Sequence, residues 1–267
     1  SADAASTASP ASARPPTRRL TRLPTTVHFS SAESVQSSSA ADKRSLLLVW
    51  QDPTDRRFVK VGQLDALPNA RYAFHYLPAA AAETNFTPLV EYPRLDALYV
   101  SNEIPAFFAN RVLSSDRPHY AQYLGWLGIA HLDESEIPVE VLARTGGGRA
   151  TDTFHVVDLP QDGNDTFSSR FFVSGIRYAD QDGVAVASLR NGAVLSLRLE
   201  TDNLKNPNAV LINTDDGRKI GYVPDWLCAD VHERIRSGWS VTAVAERVNP
   251  DAPAHVRVLC RVTASRC

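Results

Sequence analysis

Two adjacent residues, Arg177 and Tyr178, are of types that could do chemistry together. A guanidinium pairs with a phosphate, and a phenol ring beside it offers a face on which a base can stack. Lys219 and Tyr222 repeat the combination further along, with Arg218 as a third cation. In isolation, a surface arginine beside a core tyrosine would read the same way. Catalytic constellations are harder to find. The seven histidines stand alone, none in His-Glu-x-x-His and none at ligand spacing from a cysteine. Gly146-Gly-Gly-Arg-Ala-Thr151 lacks the Gly-Lys-Ser/Thr with which a P-loop holds phosphate and magnesium, so it reads as a helix terminator. No Gly-x-Ser-x-Gly elbow occurs. The expectation is a non-catalytic protein without cofactor or metal.

The elements that must position Arg177 and Tyr178 lie between Arg170 and Trp226. Short alternating or apolar runs are separated there by Gly, Asn, Asp and Pro clusters, the signature of a small β-rich barrel or roll. Asn206-Pro207-Asn208 and Asp215-Asp216-Gly217 read as turns between strands. Gly221, within an apolar strand, marks a bulge or a close backbone approach. Pro224 opens the surest helix, to Gly238, with Leu227, Val231 and Ile235 on one face and Asp230 and Arg234 as an i,i+4 pair outside. Ala179 to Arg190 reads as a helix weakened by Gly183. Ala193–Leu199, Asn208–Asn213, Ser240–Val248 and His255–Thr263 read as strands.

At these residues the chain resembles the HIRAN domain. The matching features are Gly175-Ile-Arg177-Tyr178, the strand ending in Glu200, Asp202-Asn203 followed by Asn206-Pro207-Asn208-Ala209-Val210, and Lys219-Ile-Gly-Tyr-Val-Pro224, within residues 168–248. HIRAN domains accompany DNA-repair helicases and nucleases or stand alone in bacteria. The resemblance implies an OB-like β-barrel that binds single-stranded DNA at a 3′ end, and it decides for a binding role of Arg177 and Tyr178. The chain departs from the end-binding pattern at two places. Lys205-Asn206 stands where Tyr-Asp is found, which removes an ionised acceptor for a terminal hydroxyl and offers Lys205 as a phosphate contact. Asp225 stands where a lysine is found, which reverses a charge near the phosphates. The nucleic-acid-binding set is therefore Arg177, Tyr178, Lys205, Asn206, Arg218, Lys219 and Tyr222.

Residues 45–77 read as hairpin-linked strands, with Tyr72, Phe74 and Tyr76 on one inward face. Residues 86–130 turn helical. Ile104, Phe108 and Val112 recur at i, i+4, i+8 in a helix from Ile104 to Ser114, and a second helix runs from Tyr120 to a stop at Gly128. Glu134 to Thr145 reads as a third helix and Thr153 to Leu159 as a strand. Val61-Gly-x-Leu64, Phe74-x-Tyr76, Thr87-Pro-Leu89, Phe107-Phe-x-Asn-Arg111 and Leu142-x-x-Thr-Gly-Gly147 resemble the N-terminal subdomain of HipA-type toxin kinases, over residues 46–159. The rest of such a kinase does not follow. This resemblance implies a module that docks a protein partner and transfers no phosphate.

The expected organisation is α+β. An Ala/Ser/Pro-rich disordered tail (1–44) is followed by a small sheet with helices (45–160), then by an OB-like β-barrel with two helices (165–267). The Pro160–Asp165 loop is the boundary. Charge is uneven. Residues 45–164 carry nine basic and fifteen acidic side chains, net −6, and residues 165–267 carry thirteen and twelve, net +1. An acidic middle is a poor platform for phosphates, so nucleic acid falls to a local basic groove in the C-terminal part or to the tail. No run of about 18 apolar residues predicts a membrane span. The first residues do not read as a secretory signal, and Cys228, Cys260 and Cys267 show no Cys-x-x-Cys pair. A cytoplasmic protein is expected, with a Cys260–Cys267 disulfide left open. Two functional readings stand. In the first, an adaptor in DNA repair or defence binds single-stranded or end-containing DNA while docking a kinase, nuclease or helicase. In the alternative, an antitoxin-like module regulates a separate HipA-type kinase without nucleic acid.

Overall fold

The alternating runs fold into two antiparallel sheets, seen in a computed structural model that describes residues 27–28, 43–149 and 152–266. The first sheet holds β1 (Val27–His28), β2 (Arg44–Gln51), β3 (Phe58–Leu67), β4 (Arg71–Tyr76), β5 (Leu98–Ser101) and β6 (Phe154–Asp158), in the order β1-β5-β4-β3-β2-β6. Between its strands lie α1 (Pro78–Ala82), α2 (Ala106–Ala109), α3 (Tyr120–Leu127) and α4 (Ile137–Thr145). The second sheet holds β7 (Gln161–Asp162), β8 (Thr166–Phe172), β9 (Ala193–Leu199), β10 (Val210–Asn213), β11 (Lys219–Tyr222), β12 (Ser240–Val248) and β13 (Val258–Ser265), in the order β11-β10-β9-β12-β13-β8-β7. With it go α5 (Ile176–Ala179), α6 (Val184–Ser188), α7 (Asp225–Arg236) and a 3-10 turn at Ala254–Val256. The α+β expectation holds.

The aromatic stripe of β4 is core. Phe74 packs its ring 5.0 Å from Tyr76, 4.9 Å from Tyr92 and 5.5 Å from Phe108. The Tyr76 hydroxyl donates to the Tyr92 carbonyl (3.0 Å) and accepts from the Leu89 amide (2.8 Å), so its polar tip is satisfied inside. In the second half, Leu227, Cys228 and Val231 of α7 are buried with Val210, Ile212, Ala243 and Val262 of the sheet. A further apolar cluster joins the halves, setting Leu124, Leu127 and Val141 of α3 and α4 against Phe172, Val256 and Leu259.

Five expectations need correction. The second sheet is not a closed barrel. Its hydrogen-bonded ladder is open; among the described residues Ser174, just past β8, forms one isolated antiparallel bridge with Tyr222 of β11. The helix expected at 104–114 is one turn, α2, because Pro105 starts it and tighter i,i+3 bonds at Arg111 and Val112 end it. β5 lies inside the stretch read as helical. Its four residues are too few for a period-2 pattern to stand out, and pairing with β4 makes them a strand. Of the helix expected from Ala179 to Arg190 only α6 forms, because Gly183 just before it adopts a left-handed φ of 72°, while Ala179 ends the separate α5. The Asp180 carboxylate then accepts from the Ala185 and Val186 amides at 3.0 and 2.9 Å, starting α6. Finally, the Asp230 carboxylate pairs not with Arg234 but with Lys60 of β3, at 2.6 Å. Arg234 reaches Asp162 (2.7 Å) and lies over the Phe167 ring.

Candidate nucleic-acid interface

Arg177 and Tyr178 are placed by three local causes. Ile176, 1% exposed, anchors α5 in the core. Gly175 turns the chain out of β8, close enough to Tyr222 that a Cβ would lie 3.5 Å from its ring. Gly221 lets β11 reach Ser174, since a Cβ there would sit 2.4 Å from the Ser174 carbonyl oxygen. Two hydrogen bonds of 2.9 and 2.8 Å between Ser174 and Tyr222 fix the approach. The close approach read from Gly221 is present. The pair sits on the one-turn helix α5.

Both side chains face solvent, and Tyr178 is 67% exposed. The Arg177 guanidinium lies 4.6 Å from the Tyr178 ring centroid and donates to its hydroxyl. That bond and the Arg177 charge, with a further contribution from Lys205, hold the Tyr178 phenol below its usual range. The loop that carries Lys205 is held by its own side chains. Asn203 accepts from the Lys205 and Asn206 amides (3.0 and 3.2 Å) and donates to Glu200 (3.2 Å). Asn206 donates to the Asp225 carboxylate at 2.8 Å and accepts from the Asn208 amide at 2.9 Å.

The other expected residues distribute differently. Tyr222 is half-buried, and its hydroxyl donates to Glu200 at 3.1 Å. Burial and the Glu200 carboxylate push its phenol up. Lys219 lies 4.0 Å and Arg198 3.5 Å from the same carboxylate. Glu200 therefore gathers Lys219 and Tyr222 into one cluster. Arg218 pairs with Asp216 (2.9 Å) at the hairpin turn. It stands four positions from Tyr222, about 13 Å along an extended strand, and is not brought to the pair. Arg177 and Tyr178 stand together, Tyr222 abuts them through Gly175, Asn206 bonds Asp225, Lys205 reaches Tyr178 through its charge alone, and Arg218 stays apart.

Sequence reasoning missed a second set. A cleft of about 480 Å³ borders Arg177 and Tyr178 and is lined as well by Phe58, His155, Arg170 and Trp226. His155 has no metal-ligand neighbours in the sequence; its signal is tertiary, and no local pattern announces it. Among the described residues, no group of three or more His, Cys, Asp or Glu could hold a metal ion. No described helix is long and apolar enough to cross a membrane. Cys228 and Cys260 are free, buried thiols, and Cys267 lies outside the described residues. Most of the expected 1–44 tail also lies outside them, with Val27–His28 described as a strand beside β5.

No curated protein matches the chain. Among solved structures, a protein from Lactobacillus plantarum is similar at 20% identity, covering 38% of this chain and 90% of that one, with a TM-score of 0.32. The HIRAN domain of human HLTF is similar at 17% identity, covering 39% of this chain and 81% of that one, with a TM-score of 0.31. The likeness to HipA-type kinases over residues 46–159 is not covered by the family match. Residues 166–265 match the model of the HIRAN domain, so the resemblance read at residues 168–248 holds and extends to the end of β13.

Proposed function

We propose that the HIRAN region binds single-stranded or end-containing DNA, with Arg177 and Tyr178 as its phosphate and base platform. One observation carries this reading. Within a HIRAN-matched region, a guanidinium and an exposed ring stand together on a one-turn helix. Arg177 and Lys205 supply cations for successive phosphates, and Tyr178 supplies a stacking face worth about 1–3 kcal/mol per base. Asn206 and Asp225, hydrogen-bonded to each other, form a neutral-plus-acidic pair in place of an acid and a lysine. The site therefore rests less on capture of a terminal hydroxyl by an ionised acid–lysine pair.

The residues that precede the HIRAN region form, in this reading, a non-catalytic docking module of HipA-N-terminal type. The net −6 of residues 45–164 disfavours phosphate and favours a protein partner with a basic surface. The test is fluorescence anisotropy on labelled single strands with free or blocked 3′ ends and on a blunt duplex. Salt-sensitive binding that ranks single strands above duplex is expected. Absence of salt-sensitive binding to every probe removes the DNA reading.

A further inference from the structure

The cleft that borders Arg177 continues along β8 to a second set of cations. Arg170, Phe172 and Ser174 point to one face of this extended segment. That face meets α4, where Phe172 packs in one cluster with Val141. Ser174 is four residues from Arg170, about 13 Å along an extended chain, so Arg170 stands well away from the Arg177 turn. Arg144, at the end of α4, lines the cleft from the first half.

Both guanidiniums are only partly engaged. Arg144 donates to Glu140 at 3.3 Å and to the Leu127 carbonyl at 2.8 Å. Arg170 places its Nε 2.7 Å from Glu246, and its two terminal nitrogens make no hydrogen bond with a described residue. Glu246 is shared, since Arg261 bonds its other oxygen at 2.5 Å. On the first-half side Arg44 takes Glu140 and Asp158, at 2.6 and 2.5 Å. Four guanidiniums, of Arg44, Arg144, Arg170 and Arg261, thus meet three carboxylates, of Glu140, Asp158 and Glu246. One positive charge is left over. Arg144 and Arg170 are 13% and 26% exposed, so water screens them incompletely. Burial pushes the Arg144 pKa down, Glu140 opposes this, and the charge of Arg170 pushes it down further, which is the mark of two cations facing each other.

We propose that Arg144 and Arg170 form an oxyanion site between the two halves of the chain, which takes a free phosphate or the phosphate group of a small metabolite. A guanidinium presents paired N–H groups in a fork that matches phosphate oxygens. The unused terminal nitrogens of Arg170 supply that fork from one half, and Arg144 supplies its charge from the other. The exposed Ser174 hydroxyl, on the Arg170 face of the chain, is a further donor. A bound anion offsets the surplus charge and ties α4 to β8, so it stabilises the packing of the halves. The site is separate from the Arg177–Tyr178 platform and does not rest on the DNA reading.

The test titrates the full chain with inorganic phosphate and, separately, with methyl phosphate. Phosphorus NMR line broadening is followed at constant ionic strength in chloride. Saturable broadening is expected in wild type. Stronger binding of inorganic phosphate points to the free ion, and stronger binding of methyl phosphate to an esterified one. Arg144→Gln and Arg170→Gln should each weaken binding about tenfold or more, the scale of one lost charged hydrogen bond. Arg170→Lys keeps the charge opposite Glu246 and loses the fork, so it should weaken binding too, by less. Arg177→Ala should leave binding unchanged. The site is overturned if wild type shows no saturable broadening, or if either glutamine variant, with wild-type circular dichroism, binds as wild type does. Loss of binding with Arg177→Ala also overturns it, since the anion would then lie on the turn. Should a glutamine variant not fold, Arg170→Lys decides, and wild-type affinity in that protein contradicts the site. Failure here leaves the DNA reading untouched, because that is measured on labelled strands.

Discussion

Gly221→Ala is the perturbation whose magnitude follows most directly from the structure. A Cβ at Gly221 would lie 2.4 Å from the Ser174 carbonyl oxygen and 2.6 Å from the Val173 side chain, below the 3.0 Å that real Cβ atoms keep. Backbone must move, because one of the two obstacles is backbone. Overpacking of this kind costs about 1–3 kcal/mol. The displaced atoms also make the isolated Ser174–Tyr222 bridge between β11 and the chain just past β8. Losing its two hydrogen bonds adds about 0.5–1.5 kcal/mol each. The sum is about 2–6 kcal/mol, or a fall in Tm of about 4–24 °C for a chain of this size. Gly125→Ala is the control. It lies in α3, where an added methyl would meet nothing within 4 Å, and should be neutral or stabilising by up to about 1 kcal/mol. Thermal unfolding followed by circular dichroism reads both, with strand binding measured in parallel. The expected result is a destabilised Gly221→Ala protein with weakened DNA binding, since Gly175 and Tyr222 frame the site. If Gly221→Ala unfolds within about 1 kcal/mol of wild type and binds unchanged, the bridge does not hold the site in place.

Three further outcomes are expected. Arg111 is buried, bonds Asp152 at 2.6 Å and the Gly147 carbonyl at 2.9 Å, and lies 4.2 Å over the Phe107 ring. Arg111→Ala should cost about 3–5 kcal/mol in chemical denaturation, with Arg111→Lys recovering only part because lysine lacks the planar fork; wild-type stability for Arg111→Ala would contradict this. The Tyr178 phenol is held below its usual value of 10.0 by Arg177 and then Lys205. Its phenolate therefore forms at lower pH than an ordinary tyrosine's, placing a negative charge against the phosphates. Binding to oligo-dA, whose bases do not ionise in this range, should fall as pH rises towards 10, and Tyr178→Phe should flatten that fall. An equal fall in both proteins would remove Tyr178 as its cause. Burial pushes the Cys228 and Cys260 thiols up to about 12, so neither should react with a thiol reagent at pH 8 until the protein is unfolded, as mass spectrometry of the labelled peptides can show.

What is legible in the sequence is what local physics dictates. Tyr72, Phe74 and Tyr76 alternate because one face of β4 is buried, and that pattern needs no partner to be read. Gly128 and Gly146 end α3 and α4 in left-handed conformations, as terminal glycines do. Arg177 and Tyr178 can be found because they are adjacent in the chain. The remainder depends on distant residues. Asp230 sits four residues before Arg234, and the helix rule pairs them, but Lys60 offers a cation from across the molecule. The 104–114 periodicity is real, and Ile104, Phe108 and Val112 do pack inward, yet the buried Arg111 anchors to Gly147 and Asp152 and the chain tightens into turns. Phe58 and His155 become neighbours of Arg177 only when the two sheets pack, so no window of sequence contains that cleft.

The most direct measurement is the salt dependence of single-strand binding for wild type and for the Arg177→Ala/Tyr178→Ala double variant. For single strands the logarithm of affinity falls with the logarithm of salt at about 0.7 per phosphate neutralised. Wild type should show a slope of about −1.4 or steeper, reflecting Arg177 and Lys205 at two phosphates. The double variant should lose about tenfold or more in affinity and about 0.7 of that slope. Identical affinity and slope in the two proteins would show that Arg177 and Tyr178 are not where the strand lies.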